Sequence, residues 1–303
     1  GQGSQIVGMA KELYLKFEIV KKIFDEADKT LSFPISKIIL EGPKQELDLT
    51  ENTQPAIFIV GYSIFQLIKK EFNIDLHKAT FFAGHSLGEY TALASAESLS
   101  FEDTLRLLKE RGKAMQGAVP KGQGGMVAVL GSEIKKIEKI ISENKDKYEC
   151  FIANDNSNGQ LVVSGNIDSI QKFIVDLNSY KIKNIKLPVS APFHCKLMNN
   201  ATNVMESEIK KLNFKDPKNV LISNVTSNEI NTASELKDLL VQQIENRVRW
   251  RESILFMIDK GVNQFIEIGP GKVLSGLIKR INKDVKVSAI NNEEDISLIN
   301  IND

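Results

Sequence analysis

Cysteine is nearly absent. Cys150 and Cys195 stand far apart with no CxxC partner, which excludes a disulfide framework and a thiolate zinc site and predicts a reducing compartment. The bacterial cytoplasm is the expected location, with an organelle such as a plastid as the alternative. Excess charge of either sign is also lacking: 39 Lys and Arg balance 39 Asp and Glu. No global field therefore draws the chain to nucleic acid or membrane, and an acidic partner must be met by a local basic cluster. Long apolar runs are missing as well, since residues 55–68 are interrupted by Tyr62, Ser63 and Gln66 and fall short of the roughly 18 residues of a membrane span. That run reads as a buried helix with Pro55 in its first turn and Asn52 or Thr53 near its cap. Histidine is scarce, with only His77, His85 and His194, so any search for a catalytic base is short. No metal site is expected.

What remains is an apolar fraction of 42% and a charged fraction of 26% over 303 residues, the composition of one large globular domain, or of a large one carrying an insertion. Helical spacing dominates the first part. Leu13, Phe17, Val20 and Phe24 mark residues 7–28, and Leu105, Leu108 and Met115 mark a helix from Phe101 that closes at Gly117. The Gly-rich loop 120–125 is a boundary. Between Met126 and Ser190 the pattern becomes strand, helix, strand, a turn at 154–159, strand, helix, strand. This β-α-β-β-α-β order is that of a ferredoxin-like unit. Beyond it, alternating strands (220–223, 264–268) and helices (234–245, 250–260) point to a parallel sheet.

The chemistry centres on Gly84-His85-Ser86-Leu87-Gly88. An apolar run, residues 79–83, precedes it and a helical run, residues 87–99, follows. Strand, tight turn and helix together form a nucleophile elbow, with a helix N-terminus beneath the serine to receive negative charge. Ser86 needs a base. His85 leaves the turn beside Ser86 and cannot easily reach back, and His77 reads as a solvated loop residue. His194, behind the rigid approach Pro188-Val189-Ser190-Ala191-Pro192-Phe193, is the candidate. No carboxylate between Ser86 and His194 stands in a loop between a strand and a helix of the large sheet, so a carbonyl is an alternative to the acid that usually orients such a histidine. Arg111, 25 residues after Ser86, reads from composition alone as a solvated helix residue.

Taken together, these residues resemble the malonyl-CoA:acyl carrier protein transacylase family of type II fatty acid synthesis. The resemblance covers nearly the whole chain. It rests on Gly1-Gln2-Gly3-Ser4-Gln5, Thr53-Gln54-Pro55-Ala56, Gly84-His85-Ser86-Leu87-Gly88-Glu89-Tyr90, Arg111-Gly112, Met115-Gln116 and residues 154–164. It continues through the block ending at His194 and through Ile268-Gly269-Pro270-Gly271-Lys272-Val273-Leu274. The family has a strand before the block at Gly1 that this sequence does not carry.

The resemblance implies an α/β fold: an α/β-hydrolase-like large domain (1–122 and 196–303) with a parallel sheet, and an inserted ferredoxin-like small subdomain (123–195). Ser86 is then the nucleophile and His194 the base, oriented by the carbonyl of Gln243. The backbone amides of Gln2 and Leu87 form the oxyanion hole, and Arg111 takes the malonyl carboxylate. Gln54, Met115, Asn154, Asn156 and Phe193 line the pocket. The implied reaction is ping-pong transfer of malonyl from malonyl-CoA to the phosphopantetheine thiol of acyl carrier protein, with no bound cofactor and a monomeric enzyme. Lys279 and Arg280, with Lys183, Lys186 or Lys196, are the expected docking cluster for the acidic carrier protein. A serine thioesterase or esterase of related fold is the alternative.

Overall fold

Apolar residues three and four apart bury one face of each early helix: Val20, Phe24 and Ala27 in Glu18–Leu31, and Ile35, Ile38 and Ile39 in Ile35–Glu41. The computed structural model describes residues 1–299. Residues 7–28, expected as one helical stretch, form two helices, Lys11–Lys16 and Glu18–Leu31. Phe17 adopts an extended conformation between them. The central helix Thr50–Lys70 is buried along most of its length and begins earlier than Pro55 suggests, so the proline sits at its sixth position rather than in the first turn. It packs against Phe101–Gly117. Gly112 permits this contact, because a Cβ there would lie 2.5 Å from the Cα of Glu51.

The strands are β1 (Phe81–Phe82), β2 (Gly124–Leu130), β3 (Cys150–Ser157), β4 (Gln160–Asn166), β5 (Lys183–Lys186), β6 (Val220–Ile222), β7 (Glu229–Ile230), β8 (Gln264–Ile268) and β9 (Lys286–Ile290). β2 to β5 form an antiparallel sheet in the order β3-β4-β2-β5. Helix Ile134–Glu143 connects β2 to β3 and helix Ile167–Ser179 connects β4 to β5, each crossing over one strand of the sheet. Its own core contains Val127, Val129, Ile137, Ile140, Val163 and Phe173. The stretch 154–157, expected as a turn, continues β3, with two register irregularities against β4 that let the strand bend while staying paired.

The parallel sheet is less continuous than the alternating pattern suggests. β1 pairs in parallel with β6, and β8 with β9, but the two pairs belong to separate sheets. β7, which the alternation did not foretell, lies antiparallel to β6. β1 and β8 both line a largely apolar cavity of about 420 Å³ that reaches His85, Trp250 and Ile254. This space separates the two pairs.

The two regions are fastened where β3 passes the helix Trp250–Asp259. Asp155 N donates to Val248 O (2.9 Å) and Val248 N to Ala153 O (2.8 Å). The Arg251 guanidinium grips the Asp155 carboxylate through Nε (3.0 and 3.1 Å) and Nη2 (2.7 Å). A fork of this kind fixes orientation as well as distance.

Candidate active site

Ser86 follows β1 by four residues and caps the helix Leu87–Ser95 at φ 54° and ψ −111°. That conformation is sparsely populated for a residue with a Cβ and persists only where neighbours hold it. Gly84 makes the turn possible, since a Cβ there would lie 1.9 Å from the carbonyl oxygen of Gly88. Asn224, just beyond β6, holds the turn from the side: its Oδ1 accepts from Ser86 N and its Nδ2 donates to Gly84 O, both at 2.7 Å.

His194 also has a positive φ, 56°. This turns its ring toward Ser86, with Nε2 2.8 Å from the hydroxyl oxygen. Nδ1 lies 2.9 Å from the main-chain oxygen of Gln243. A carbonyl can only accept, so this contact assigns the ring proton to Nδ1 and leaves the Nε2 lone pair facing Ser86. Burial, reinforced by the nearby Arg111 cation, pushes His194 down to about 3. The ring is therefore neutral at neutral pH, the form able to take a proton.

Arg111 is not a solvated helix residue. It is 1% exposed. Nη1 donates to Gln54 Oε1 (2.7 Å), and Nη2 to Gln243 Oε1 (2.8 Å) and Ser86 Oγ (3.1 Å). Its guanidinium carbon lies 5.3 Å from the centre of the Tyr90 ring. Gln54 Nε2 in turn touches Met115 Sδ at 3.8 Å. Burial lowers the arginine from its ordinary value, but a guanidinium does not lose its proton in proteins. Among the described residues it makes ion pairs with no carboxylate. A permanent cation held by neutral acceptors beside a hydroxyl has the chemistry to receive an anion.

A model of the acyl transferase domain matches residues 1–296. The chain belongs to the acyl transferase domain family. It is 40% identical over 301 residues to the malonyl CoA-acyl carrier protein transacylase of Bacillus subtilis, covering 98% of this chain and 93% of that one. Its structure resembles that of an acyl-carrier-protein S-malonyltransferase from Bartonella henselae with a TM-score of 0.95 and 42% identity, over 98% and 95% of the two chains. A malonyl-transacylase solved in complex with its type II PKS acyl-carrier protein matches with a TM-score of 0.94 and 34% identity, over 98% and 96%.

Within this acyltransferase, the remaining candidates lie at varying distance from Ser86 Oγ. The amide of Leu87 opens the helix that Ser86 caps. Gln2 reaches across the mouth with its side chain: Nε2 donates to Thr50 Oγ1 (3.3 Å), which donates to Gln116 Oε1 (2.8 Å), and Gln116 Nε2 donates to Ser190 Oγ (3.1 Å). Asn156 contacts His85 Nε2 at 2.8 Å, which joins β3 to the elbow. Asn154 is buried where β3 bridges to Val248, and Phe193 is packed into the core beside His194.

The basic candidates are exposed, yet three already have partners. Lys279 donates to the carbonyls of Lys283 (3.2 Å) and Val285 (2.5 Å), Arg280 to Gln160, and Lys196 pairs with Glu149. Lys183 and Lys186 project from the edge strand β5. His77 is not a solvated loop residue. Its ring stacks on Phe82 and its Nδ1 lies 2.6 Å from Asn219 Oδ1.

Sequence reasoning did not single out Asn224, Glu89 or Tyr90. Glu89 and Tyr90 stand inside the elbow block, but nothing in the order of residues says that a carboxylate there is buried. Asn224 is 138 residues from Ser86 and carries no local signal. Among the described residues there is no group of three or more His, Cys, Asp or Glu able to hold a metal, and no helix long and apolar enough to cross a membrane.

Proposed function

We propose that the protein transfers a malonyl group from malonyl-CoA to the phosphopantetheine thiol of acyl carrier protein through an ester on Ser86. The observation that carries the reading is the 3.1 Å contact between Arg111 Nη2 and Ser86 Oγ. It places an unpaired cation within reach of the far end of a three-carbon acyl group on the serine. The names of the relatives, all transacylases or transferases of malonyl, agree with it.

In the first half-reaction Ser86 Oγ attacks the thioester carbonyl carbon while its proton passes to His194 Nε2. The amides of Leu87 and Gln2 receive the oxyanion, each such donor contributing on the order of 10² to 10³ in rate. The carbon–sulfur bond breaks, and the coenzyme A thiolate takes the proton from His194. In the second half the carrier thiol gives its proton to His194 and attacks the ester, and Ser86 leaves with that proton. Through both halves the Gln243 carbonyl holds the imidazolium and the imidazole in one orientation. Arg111 binds the malonyl carboxylate, with Gln54 and Met115 behind it. Asn154, Asn156 and Phe193 line the pocket.

We read the fold as an α/β-hydrolase-like large domain (1–122 and 196–303) with a ferredoxin-like subdomain (123–195). The strand order β3-β4-β2-β5 and the separate core around Phe173 support the second part. The carrier protein docks at the exposed basic side chains Lys279 and Arg280, with Lys183, Lys186 or Lys196.

Mass spectrometry of the protein mixed with malonyl-CoA alone tests the chemistry. A stable malonyl adduct on Ser86, absent from Ser86→Ala, is the expected result. Rapid release of malonate without an adduct would make the protein a hydrolase instead.

A further inference from the structure

We propose, resting on the carboxylate-clamp reading of Arg111, that Glu89 is a positioning residue for acyl selection: its carboxylate locks the Gln243 amide so that Oε1 faces Arg111. Glu89 stands in the first turn of the elbow helix and is 1% exposed. A carboxyl so placed is costly unless hydrogen bonds satisfy it. Its partners are not cations. Gln243 Nε2 donates to Glu89 Oε2 at 2.5 Å and Asn224 N at 3.4 Å.

The surroundings of Gln243 leave its amide one orientation. Around Nε2 stand acceptors only: Glu89 Oε2, Ser86 O at 3.1 Å and Asn224 Oδ1 at 3.5 Å. Facing Oε1 is Arg111 Nη2, a donor that cannot accept. A reversed amide would press its oxygen against a carboxylate and a carbonyl, and its nitrogen against a guanidinium. Glu89 is the strongest of the three acceptors. A glutamine in its place can donate as well as accept, so a single substitution changes its character. Gln54, which holds Arg111 from the other side, has only the weak acceptor Met115 Sδ at its own nitrogen. The orientation of the arginine therefore depends chiefly on the Gln243 side.

The arrangement also settles where the charge goes. An arginine in direct contact with a carboxylate has its fork filled. Here the amide dipole stands between them, so the guanidinium keeps donors free for a second carboxylate, that of the acyl group. Because the main chain of Gln243 also contacts His194, one residue carries the link from Glu89 to both the clamp and the base.

The test is the single-turnover acylation of Ser86 by malonyl-CoA and by acetyl-CoA in the full chain. Its readout is the malonyl to acetyl ratio in wild type, Glu89→Gln, Gln243→Ala, the double variant, and Arg111→Ala. Glu89→Gln is expected to lower the ratio about tenfold, the size of one charge-assisted hydrogen bond. The double variant is expected to show no further fall below Gln243→Ala. Equal losses for both substrates, or a full additional loss in the double variant, would overturn the positioning role. Should Glu89→Gln not fold, Glu89→Asp serves, with a ratio between wild type and Arg111→Ala expected and a wild-type ratio overturning the proposal. An unchanged ratio in Arg111→Ala would instead overturn the clamp itself, whatever Glu89 does.

Discussion

Two arginines of this chain meet a buried acid in opposite ways. Arg251 clasps Asp155 directly, and the carboxylate raises the arginine above its ordinary value. Arg111 is kept from Glu89 by the amide of Gln243, and burial lowers it. At the seam between the regions pairing outweighs desolvation, so the charges are spent on holding β3 to the helix Trp250–Asp259. Beside Ser86 desolvation outweighs pairing, and the cation is left with an appetite for an anion. The two arginines differ in burial, 1% exposed for Arg111 against 23% for Arg251, and in what fills the guanidinium fork.

The largest effect that would break this contrast is expected at Arg111. Arg111→Ala should slow acylation by malonyl-CoA by about 30-fold or more, the lower end of the ~2 to 5 kcal/mol for truncating a buried charge pair. Acetyl-CoA has no carboxylate to lose, so initial acylation rates with the two thioesters measure the difference. An unchanged malonyl rate would put Arg111 in the same class as Arg251. Next in size is Arg251→Ala, which orphans a carboxylate that is 1% exposed while Arg251 itself keeps 23%. A fully buried pair costs about 3 to 5 kcal/mol to break, and this partly wetted one about 2 kcal/mol. Urea unfolding should show the loss, with the malonyl to acetyl ratio of the folded variant unmoved.

Acid sharpens the comparison further. His194 is held down to about 3 and His85 to about 4, both chiefly by burial. Unfolding frees each to bind a proton near its ordinary value of about 6.5. Stability from these two groups is therefore complete above that value and falls as pH drops toward their folded values, by up to about 1.4 kcal/mol per pH unit for each. Glu89, pushed up to about 7 by burial, acts in the reverse sense, costing stability as pH rises from the ordinary carboxyl range through 7. Thermal melts from pH 7.5 to 5 should show a decline that is shallower in His85→Gln, and an equal slope in that variant would contradict a neutral His85. The smallest effect is expected at the surface. Reversing Lys279 and Arg280 to Glu should raise the apparent KM for carrier protein a few-fold at low salt, less at high salt, with acylation by malonyl-CoA unaltered. Equal change in both half-reactions would remove them from the docking surface.

Sequence by itself determined the parts whose physics is local. The Gly-flanked elbow at Ser86 depends on neighbours within four residues, and the β-α-β-β-α-β order of residues 126–190 follows from apolar spacing. The scarcity of histidine left His194 almost without competitors. Even Arg111 was legible only through the blocks around it, because a charged helix residue gives no local sign of its burial. Tertiary structure decided the rest. It split the expected parallel sheet into two pairs, extended β3 through Asn156 so that it reaches His85, and brought Asn224 across 138 residues to the elbow. It also set Gln243 between Glu89 and Arg111. Those contacts join side chains from helices and loops far apart in the chain, and which donor faces which acceptor is fixed only once packing has excluded water from between them.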